Sequence, residues 1–432
     1  MSAQRKGFVI SAPSSGAGKT TVTLGLLAAL KAAGEDLGSA KTGPDYIDPT
    51  FHATATGRPC ITLDPWCASA DMIRARAAEI QGSFTVIEGA MGLFDGAPSD
   101  MPMGHGSTAD VAQALDIPIV LVIDAARRAQ TAAALIHGLA TFRPGVRIAG
   151  VILNRIGSPR HEMMMRRAVE TVVPVFGAIP RSGTLTVPSR HLGLHQASEF
   201  EEINDLLGAL KGTVVESCDL DGIRATAEPF STGGNLNRLP PLGQRIAVAR
   251  DEAFGFSYPH MLNDWREQGA EISFFSPLAD EAPAQTADAV FLPGGYPELY
   301  GGRLAAATRF IMGMGEARDR GNLIYGECGG FMVLGKGLID AYEQRHQMLG
   351  FLDLETTFAS RKLSLGYRDL TPLTDLPWKG PLKGHEFHYS TIASSKGDPL
   401  FDAAAAASEE TAPIGLRDRR IMGSYAHVVE MG

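Results

Sequence analysis

Twice along this chain a short apolar strand runs into a glycine-rich turn and leaves it as a helix. The first passage is residues 7–11, then Ala12-Pro13-Ser14-Ser15-Gly16-Ala17-Gly18-Lys19-Thr20-Thr21, then an apolar helix predicted over 20–33. The second is Asn322-Leu323-Ile324-Tyr325, followed by Gly326-Glu327-Cys328-Gly329-Gly330-Phe331. Strands that are apolar on both faces and pass at once into helices belong in parallel sheets covered on each side. Further strand patterns at 37–41, 84–88, 118–124, 146–153 and 175–179, with helical patterns between them, fit the same sheet. Regularity fades from 216 to 243, and 229–243 is crowded with Pro, Gly, Ser and Asn. It restarts at Arg245-Ile-Ala-Val-Ala249, with strands near 271–275, 288–292 and 322–326. A chain of 432 residues is too long for one ordinary core. The expectation is two α/β domains, 1–228 and 244–432, with 229–243 as linker.

Hydrophobic content of 44% with 20% charged residues describes a folded globular protein. A net charge of −9 argues against nucleic acid as the main partner, so an anionic ligand would have to meet local basic residues. The four cysteines, Cys60, Cys67, Cys218 and Cys328, show neither metal-ligand spacing nor a disulfide framework, which points to a reducing compartment. Residues 1–6 lead straight into a strand without a signal-peptide core, and the apolar run 117–123 is too short to span a bilayer. These readings set the expectation of a cytoplasmic protein without a membrane partner.

The first turn matches the phosphate-loop pattern except at its opening position, where Pro13 stands in place of Gly. In such a loop the backbone N–H groups of Ser14, Ser15, Gly16, Ala17, Gly18 and the residues after them surround phosphate oxygens. Lys19 then neutralises phosphate charge, Thr20 ligates Mg²⁺, and Thr21 continues the cradle. The loop calls for a nucleotide and leaves open which one. Two other strand ends carry acids. Lys41-Thr-Gly-Pro-Asp45-Tyr46-Ile47-Asp48-Pro49 ends one, and Glu88-Gly-Ala-Met-Gly92-Leu-Phe-Asp95-Gly96 ends another. Ligands gather at the carboxyl ends of strands in open α/β sheets, so both loops should converge beside the phosphates. Asp48 and Glu88 are therefore read as Mg²⁺ ligands, direct or through water, and Lys41 as a second phosphate or acyl-phosphate contact.

The second turn puts Cys328 where a tight strand-to-helix bend lifts a nucleophile clear and leaves the next N–H, on Gly329, to face an oxyanion. Phe291-Leu-Pro-Gly294-Gly295-Tyr-Pro-Glu298 supplies a second glycine pair whose N–H groups could complete the hole. His427, in Gly423-Ser-Tyr-Ala-His427, is the candidate base that keeps the thiol ionised. Cys60, Cys67 and Cys218 lack this glycine context and read as small core residues.

Gly-Glu-Cys-Gly-Gly, Leu-Pro-Gly-Gly-Tyr-Pro-Glu and Tyr-x-His together resemble the class I glutamine amidotransferases. Ser-Ser-Gly-Ala-Gly-Lys-Thr-Thr, Gly-Pro-Asp-Tyr-Ile-Asp-Pro, Ile-Glu-Gly-Ala-Met-Gly-Leu-Phe-Asp-Gly and Gly384-His385-Glu386-Phe387-His388-Tyr389-Ser390 narrow this to the corrinoid a,c-diamide synthases. The resemblance spans nearly the whole chain. It implies a dethiobiotin-synthetase-like phosphate-loop domain followed by a flavodoxin-like glutaminase domain. It also implies a carbon–nitrogen ligase that amidates the a and c carboxylates of a tetrapyrrole-derived ring, with ammonia passed internally. Asp45 and Tyr46, then His385, Glu386 and His388, are the implied contacts to that ring, and Asn154 the implied reader of adenine. One departure stands out. The acid that class I glutaminases place two residues after the catalytic His is Val429 here, with Glu430 one residue later and on the other side of an extended strand. A Cys–His dyad is implied instead of a triad.

Two alternatives stay open on sequence alone: a related synthase acting on a nickel tetrapyrrole, and a partition-type switch ATPase with an inactive glutaminase-like domain. Retention of Gly-Lys-Thr disfavours the synthase that amidates four other positions of the ring. The Ala- and Arg-rich composition leans toward the metal-free ring over the cobalt one. The partners expected are small molecules, glutamine, ATP and a corrinoid, with a homodimer left open.

Overall fold

The computed structural model describes residues 5–98, 106–182, 200 and 202–432. It divides into two compact units, Met1–Leu236 and Asn237–Gly432. Among the described residues no helix is long and apolar enough to cross a membrane.

The first unit alternates strands and helices in chain order. These are β1 (Lys6–Ser11), α1 (Lys19–Ala32), β2 (Leu37–Thr42), α2 (Asp48–Thr56), β3 (Cys60–Leu63), α3 (Ala70–Ala77), β4 (Phe84–Glu88) and α4 (Thr108–Leu115). They continue as β5 (Ile119–Asp124), α5 (Thr131–Thr141), β6 (Ile148–Ile156), α6 (Pro159–Val169), β7 (Val175–Pro180), α7 (Ile203–Ser217), α8 (Leu220–Ala225) and β8 (Glu228–Pro229). The sheet order is β3-β2-β4-β1-β5-β6-β7, with β8 antiparallel on β1. All the other pairings are parallel. Central strands such as β5 are buried almost end to end, as their unbroken apolar sequences require. Register does the positioning: Glu88 pairs with Ile10 on one side and with Lys41 on the other, so three strand ends meet beside the phosphate loop. The strand β3 went unread in the sequence, being only four residues long.

Segment 229–243 is divided between the units. Phe230 packs into the first core, whereas Leu239 and Leu242 are buried and the Pro240 carbonyl accepts from Trp378 Nε1 at 2.8 Å in the second.

The second unit runs β9 (Arg245–Ala249), α9 (Pro259–Glu267), β10 (Glu271–Phe275), β11 (Ala289–Leu292), α10 (Gly301–Ala306), α11 (Thr308–Asp319), β12 (Leu323–Glu327) and α12 (Gly329–Leu334). Its main sheet is β10-β9-β11-β12, then Ile421–Ser424 in parallel and Leu416–Asp418 antiparallel at the edge. A four-stranded and a five-stranded sheet follow α12, neither of which the sequence reading anticipated. The larger one pairs Leu382–His388 with His427–Met431, bringing His385 opposite His427.

Helices α1 and α7 pack closely because Gly25 has no side chain. A Cβ there would lie 2.6 Å from Val214 Cγ2 and 2.9 Å from the Leu210 carbonyl oxygen. Gly25→Leu should therefore force the helices apart and destabilise the first unit by about 1–3 kcal/mol. Calorimetry of the full chain would register this as an earlier first transition, and an unchanged profile would contradict the close packing.

Candidate active sites

The turn between β1 and α1 holds Gly16 and Gly18 at φ of 78° and 93°, in the left-handed region that favours glycine. A side chain on Gly18 would also collide with Asn154, whose Nδ2 would lie 2.2 Å from the Cβ. Asn154 Nδ2 donates to the Ala17 carbonyl at 3.0 Å, so the predicted adenine reader is braced against the loop. With Gly18, Thr21, Arg155, Ile179 and Pro180 it lines an open cavity flanking the loop. Lys19 begins α1 and donates from Nζ to the carbonyls of Met91 and, at 3.4 Å, Ser14. Burial, then the charge of Lys41, lowers its pKa, so anionic phosphate would relieve an unfavourable setting.

Beside it lies a compact cluster of oxygens. Thr20 Oγ1 donates to Glu88 Oε1 at 2.7 Å and approaches Asp48 Oδ2 at 3.2 Å. Lys41 Nζ donates to the same two oxygens, at 2.9 and 2.6 Å, and lies 3.6 Å from Asp45 Oδ2. The lysine thus sits on the carboxylates, while its expected role was on the phosphates. Burial raises the Glu88 pKa, but Lys41 and His52 together overcome that and hold it down. For Asp48, burial and the neighbouring Asp45 dominate and push the pKa up. Asp45 Oδ1 accepts from the N–H groups of Ile47 and Asp48 at 2.9 and 3.1 Å, fixing the entry to α2, with Tyr46 half-buried beside it. Sequence reasoning missed His52, one turn into α2, whose Nε2 lies 2.6 Å from Glu88 Oε2 and whose Nδ1 lies 3.5 Å from Cys60 Sγ.

Among the described residues no set of three or more His, Cys, Asp or Glu is arranged to hold a metal by itself. A hydroxyl and two carboxylates meeting at one point do fit Mg²⁺, a hard ion that takes its remaining ligands from phosphate and water.

In the second unit β12 ends at Glu327, and Cys328 turns the chain into α12 with φ 46° and ψ −104°. That strained conformation has the geometry a nucleophile turn requires. The Cys328 N–H is tied to the Ser424 carbonyl at 2.8 Å. A Cβ on Gly294 would lie 3.1 Å from His427 Nε2 and 3.2 Å from Cys328 Cβ, so imidazole and thiol share the space that glycine leaves. A Cβ on Gly329 would lie 3.0 Å from the Gly295 nitrogen, so the two glycine-rich turns pack backbone against backbone next to Cys328 in the chain. His427 is buried, as is Cys328. On its Nδ1 side lies Glu327 Oε2 at 3.7 Å.

Glu430 is not simply on the opposite face, as an extended strand implied. The pairing skips Val429 in a bulge, puts Glu430 opposite Lys383, and leaves its carboxylate 4.0 Å from His260 Nε2. His385 is also buried here. It accepts or donates a 2.9 Å hydrogen bond with Tyr258 and stacks on His427, ring centroids 5.0 Å apart. His388 stacks on Tyr425 at 3.8 Å and pairs with the Ser390 carbonyl through Nδ1 at 3.0 Å. Glu386 is bridged to Arg368 at 2.7 Å. His385 and Glu386, two of the expected ring contacts, are thus packed inside the unit. All four cysteines are free, and Cys60 and Cys67 are buried.

A phosphate loop beside an oxygen cluster and a thiol turn beside an imidazole define a nucleotide-using glutamine amidotransferase. Residues 8–194 match the CobQ/CobB/MinD/ParA nucleotide binding domain, and residues 245–431 the CobB/CobQ-like glutamine amidotransferase domain. Hydrogenobyrinate a,c-diamide synthase of Brucella anthropi is 52% identical, covering 98% of both chains. That of a Sinorhizobium species is 50% identical over 98% of this chain and 99% of its own, and that of Mesorhizobium japonicum 46% over 98% of each. The chain belongs to the hydrogenobyrinate a,c-diamide synthase family.

The His427 environment makes a pH prediction. Burial lowers its pKa, but the close contacts and charges of Cys328 and Glu327 outweigh burial and raise it from 6.5 to about 9. The stabilisation from this proton is complete below the unfolded value of 6.5 and is lost as pH rises through about 9. Imidazole NMR shifts of His427 should accordingly turn over near pH 9; a midpoint at or below 6.5 would contradict the contact set.

Proposed function

We propose that this chain is an ATP- and glutamine-dependent ligase that converts the a and c acetate carboxylates of hydrogenobyrinic acid to amides, a step of cobalamin biosynthesis. The observation carrying this reading is the strained Cys328 turn beside buried His427, in a chain whose other unit presents Lys19, Thr20, Asp48 and Glu88 around a phosphate loop. The names of the full-length relatives support the choice of ring and of positions.

In the glutaminase unit Cys328 Sγ, as thiolate, attacks the glutamine side-chain carbonyl. The developing oxyanion is met by the N–H groups of Gly295 and Gly329, at the glycine pair Gly294-Gly295. His427 gives its proton to the leaving nitrogen, so ammonia departs and a glutamyl thioester remains; water then releases glutamate and restores the thiol. In the synthetase unit a ring carboxylate attacks the γ-phosphorus of ATP, giving an acyl phosphate and ADP. Ammonia displaces phosphate from it to form the amide. Lys19 and the amides of 14–21 hold the phosphates, and Asn154 faces the base. Bound Mg²⁺, held by Thr20, Asp48 and Glu88, would neutralise charge on the phosphate oxygens. Lys41, sharing those carboxylates, is released toward the phosphates as they bind. Asp45 and Tyr46 flank the ring carboxylate, and His388 is retained as an outer contact. The same reading makes this a cytoplasmic enzyme whose partners are glutamine, ATP and the corrinoid.

The test is product mass after incubation with ATP, Mg²⁺, glutamine and either hydrogenobyrinic or cobyrinic acid. Each carboxyl-to-amide exchange lowers the mass by about 1 Da, so the diamide lies about 2 Da below its acid, with the metal-free ring preferred. Cys328→Ala should lose glutamine-driven amidation but keep ammonia-driven amidation, whereas Lys19→Ala should lose both by at least about 100-fold. ATP hydrolysis with no amide from either ring would overturn the assignment.

A further inference from the structure

The position two residues after His427, where related glutaminases carry an acid, is Val429, yet the imidazole does face a carboxylate. We propose that Glu327, the residue immediately before the nucleophile, is the positioning acid of the glutaminase site, orienting His427 and balancing its charge from the Nδ1 side. This rests on the functional reading above and adds to it a third member of the thiol site.

Three observations carry it. Glu327 ends β12 in register with Ser424, and His427 stands three residues beyond Ser424, so strand pairing delivers the carboxylate to the imidazole. Its two oxygens are divided between two tasks. Oε1 accepts the Val428 N–H at 3.1 Å, anchoring the backbone next to His427, and Oε2 faces His427 Nδ1 at 3.7 Å. Both side chains are almost wholly buried, 3% and 1% exposed, so the carboxylate acts through a medium that screens it far less than water does. With Cys328 at the other edge of the ring, Glu327 at Nδ1 favours the tautomer protonated there, so that Nε2 takes the thiol proton and then gives it to the leaving nitrogen.

The neighbouring groups leave this role to Glu327. His385, stacked on His427 from strand Leu382–His388, is held well below its ordinary pKa by burial and by His427 itself, and is neutral. His388 is also lowered, chiefly by burial. The Tyr325 phenol is held well above its usual value by burial and then by the Glu327 charge, so it adds no second anion. Cys328 completes the set on the Nε2 side.

Glu327→Gln separates positioning by charge from plain structural support. A glutamine carbonyl can still accept the Val428 N–H, so a purely structural residue would tolerate it. The charge role predicts a fall of about 100-fold in kcat for glutamine hydrolysis with KM little changed. It also predicts that the His427 NMR midpoint falls from about 9 toward 6.5. Glu327→Asp, which keeps the charge on a shorter arm, should recover part of both, and ammonia-driven amidation reports that the chain is folded. A Gln variant with wild-type kcat and an unmoved midpoint would overturn the proposal. Should the Gln variant fail to fold, the wild-type protein decides alone: a His427 midpoint at or below 6.5 would overturn the proposal. If the wild type hydrolyses no glutamine, the functional reading fails, and the NMR midpoint still decides whether Glu327 sets the imidazole charge.

Discussion

The 2.8 Å bond from the Cys328 amide to the Ser424 carbonyl ties the nucleophile turn to the strand that leads to His427. It matters because Cys328 is held at positive φ, a conformation a non-glycine residue adopts only when its surroundings impose it. Much of what surrounds the turn is closely packed backbone. A Cβ on Gly330 would fall 1.9 Å from the Leu292 carbonyl oxygen, and one on Gly423 would fall 2.5 Å from that of Gly326. Glycine at these positions lets β11, β12, α12 and Ile421–Ser424 close to contact distance, and that closeness fixes the turn. Thiol, imidazole and Glu327 then occupy neighbouring places.

The nucleotide unit solves a similar problem by the same means. Parallel strands in register end together, so residues far apart in sequence arrive side by side: Ile10, Lys41 and Glu88 are neighbours across β1, β4 and β2. What distinguishes the two sites is how they handle buried charge. Around Glu88 a carboxylate is held between Lys41, Thr20 and His52. Around His427 the charged neighbours are fewer, Glu327 and Cys328, with His385 stacked on the ring.

Much of this could be read from the residues. Continuous apolar runs such as 119–123 gave away the parallel strands, and each glycine-rich turn marked its own chemistry by residue order. What escaped had a physical cause in each case. The strand Thr391–Lys396 is exposed along most of its length, so no apolar pattern marks it, and β3 is too short to show one. His52 lies inside a helix with nothing in sequence to link it to Glu88. Glu327 sits in the Gly-Glu-Cys-Gly-Gly motif a hundred residues from His427, so no linear spacing connects the two. The acid comes instead through strand pairing, a neighbour in space that linear spacing does not reveal. Val429 likewise misleads, since a bulge at that residue alters the alternation on which the placement of Glu430 depended.

The central claim is that ammonia made at Cys328 is the nitrogen that ends on the ring. Supplying glutamine with a heavy-nitrogen amide, together with ATP, Mg²⁺, hydrogenobyrinic acid and only a small amount of unlabelled ammonium, tests it directly. The account predicts that both new amides carry the heavy nitrogen in wild-type protein and neither does in Cys328→Ala. Unlabelled amides from the wild type would contradict it, because the glutaminase unit would then not be the source of the nitrogen.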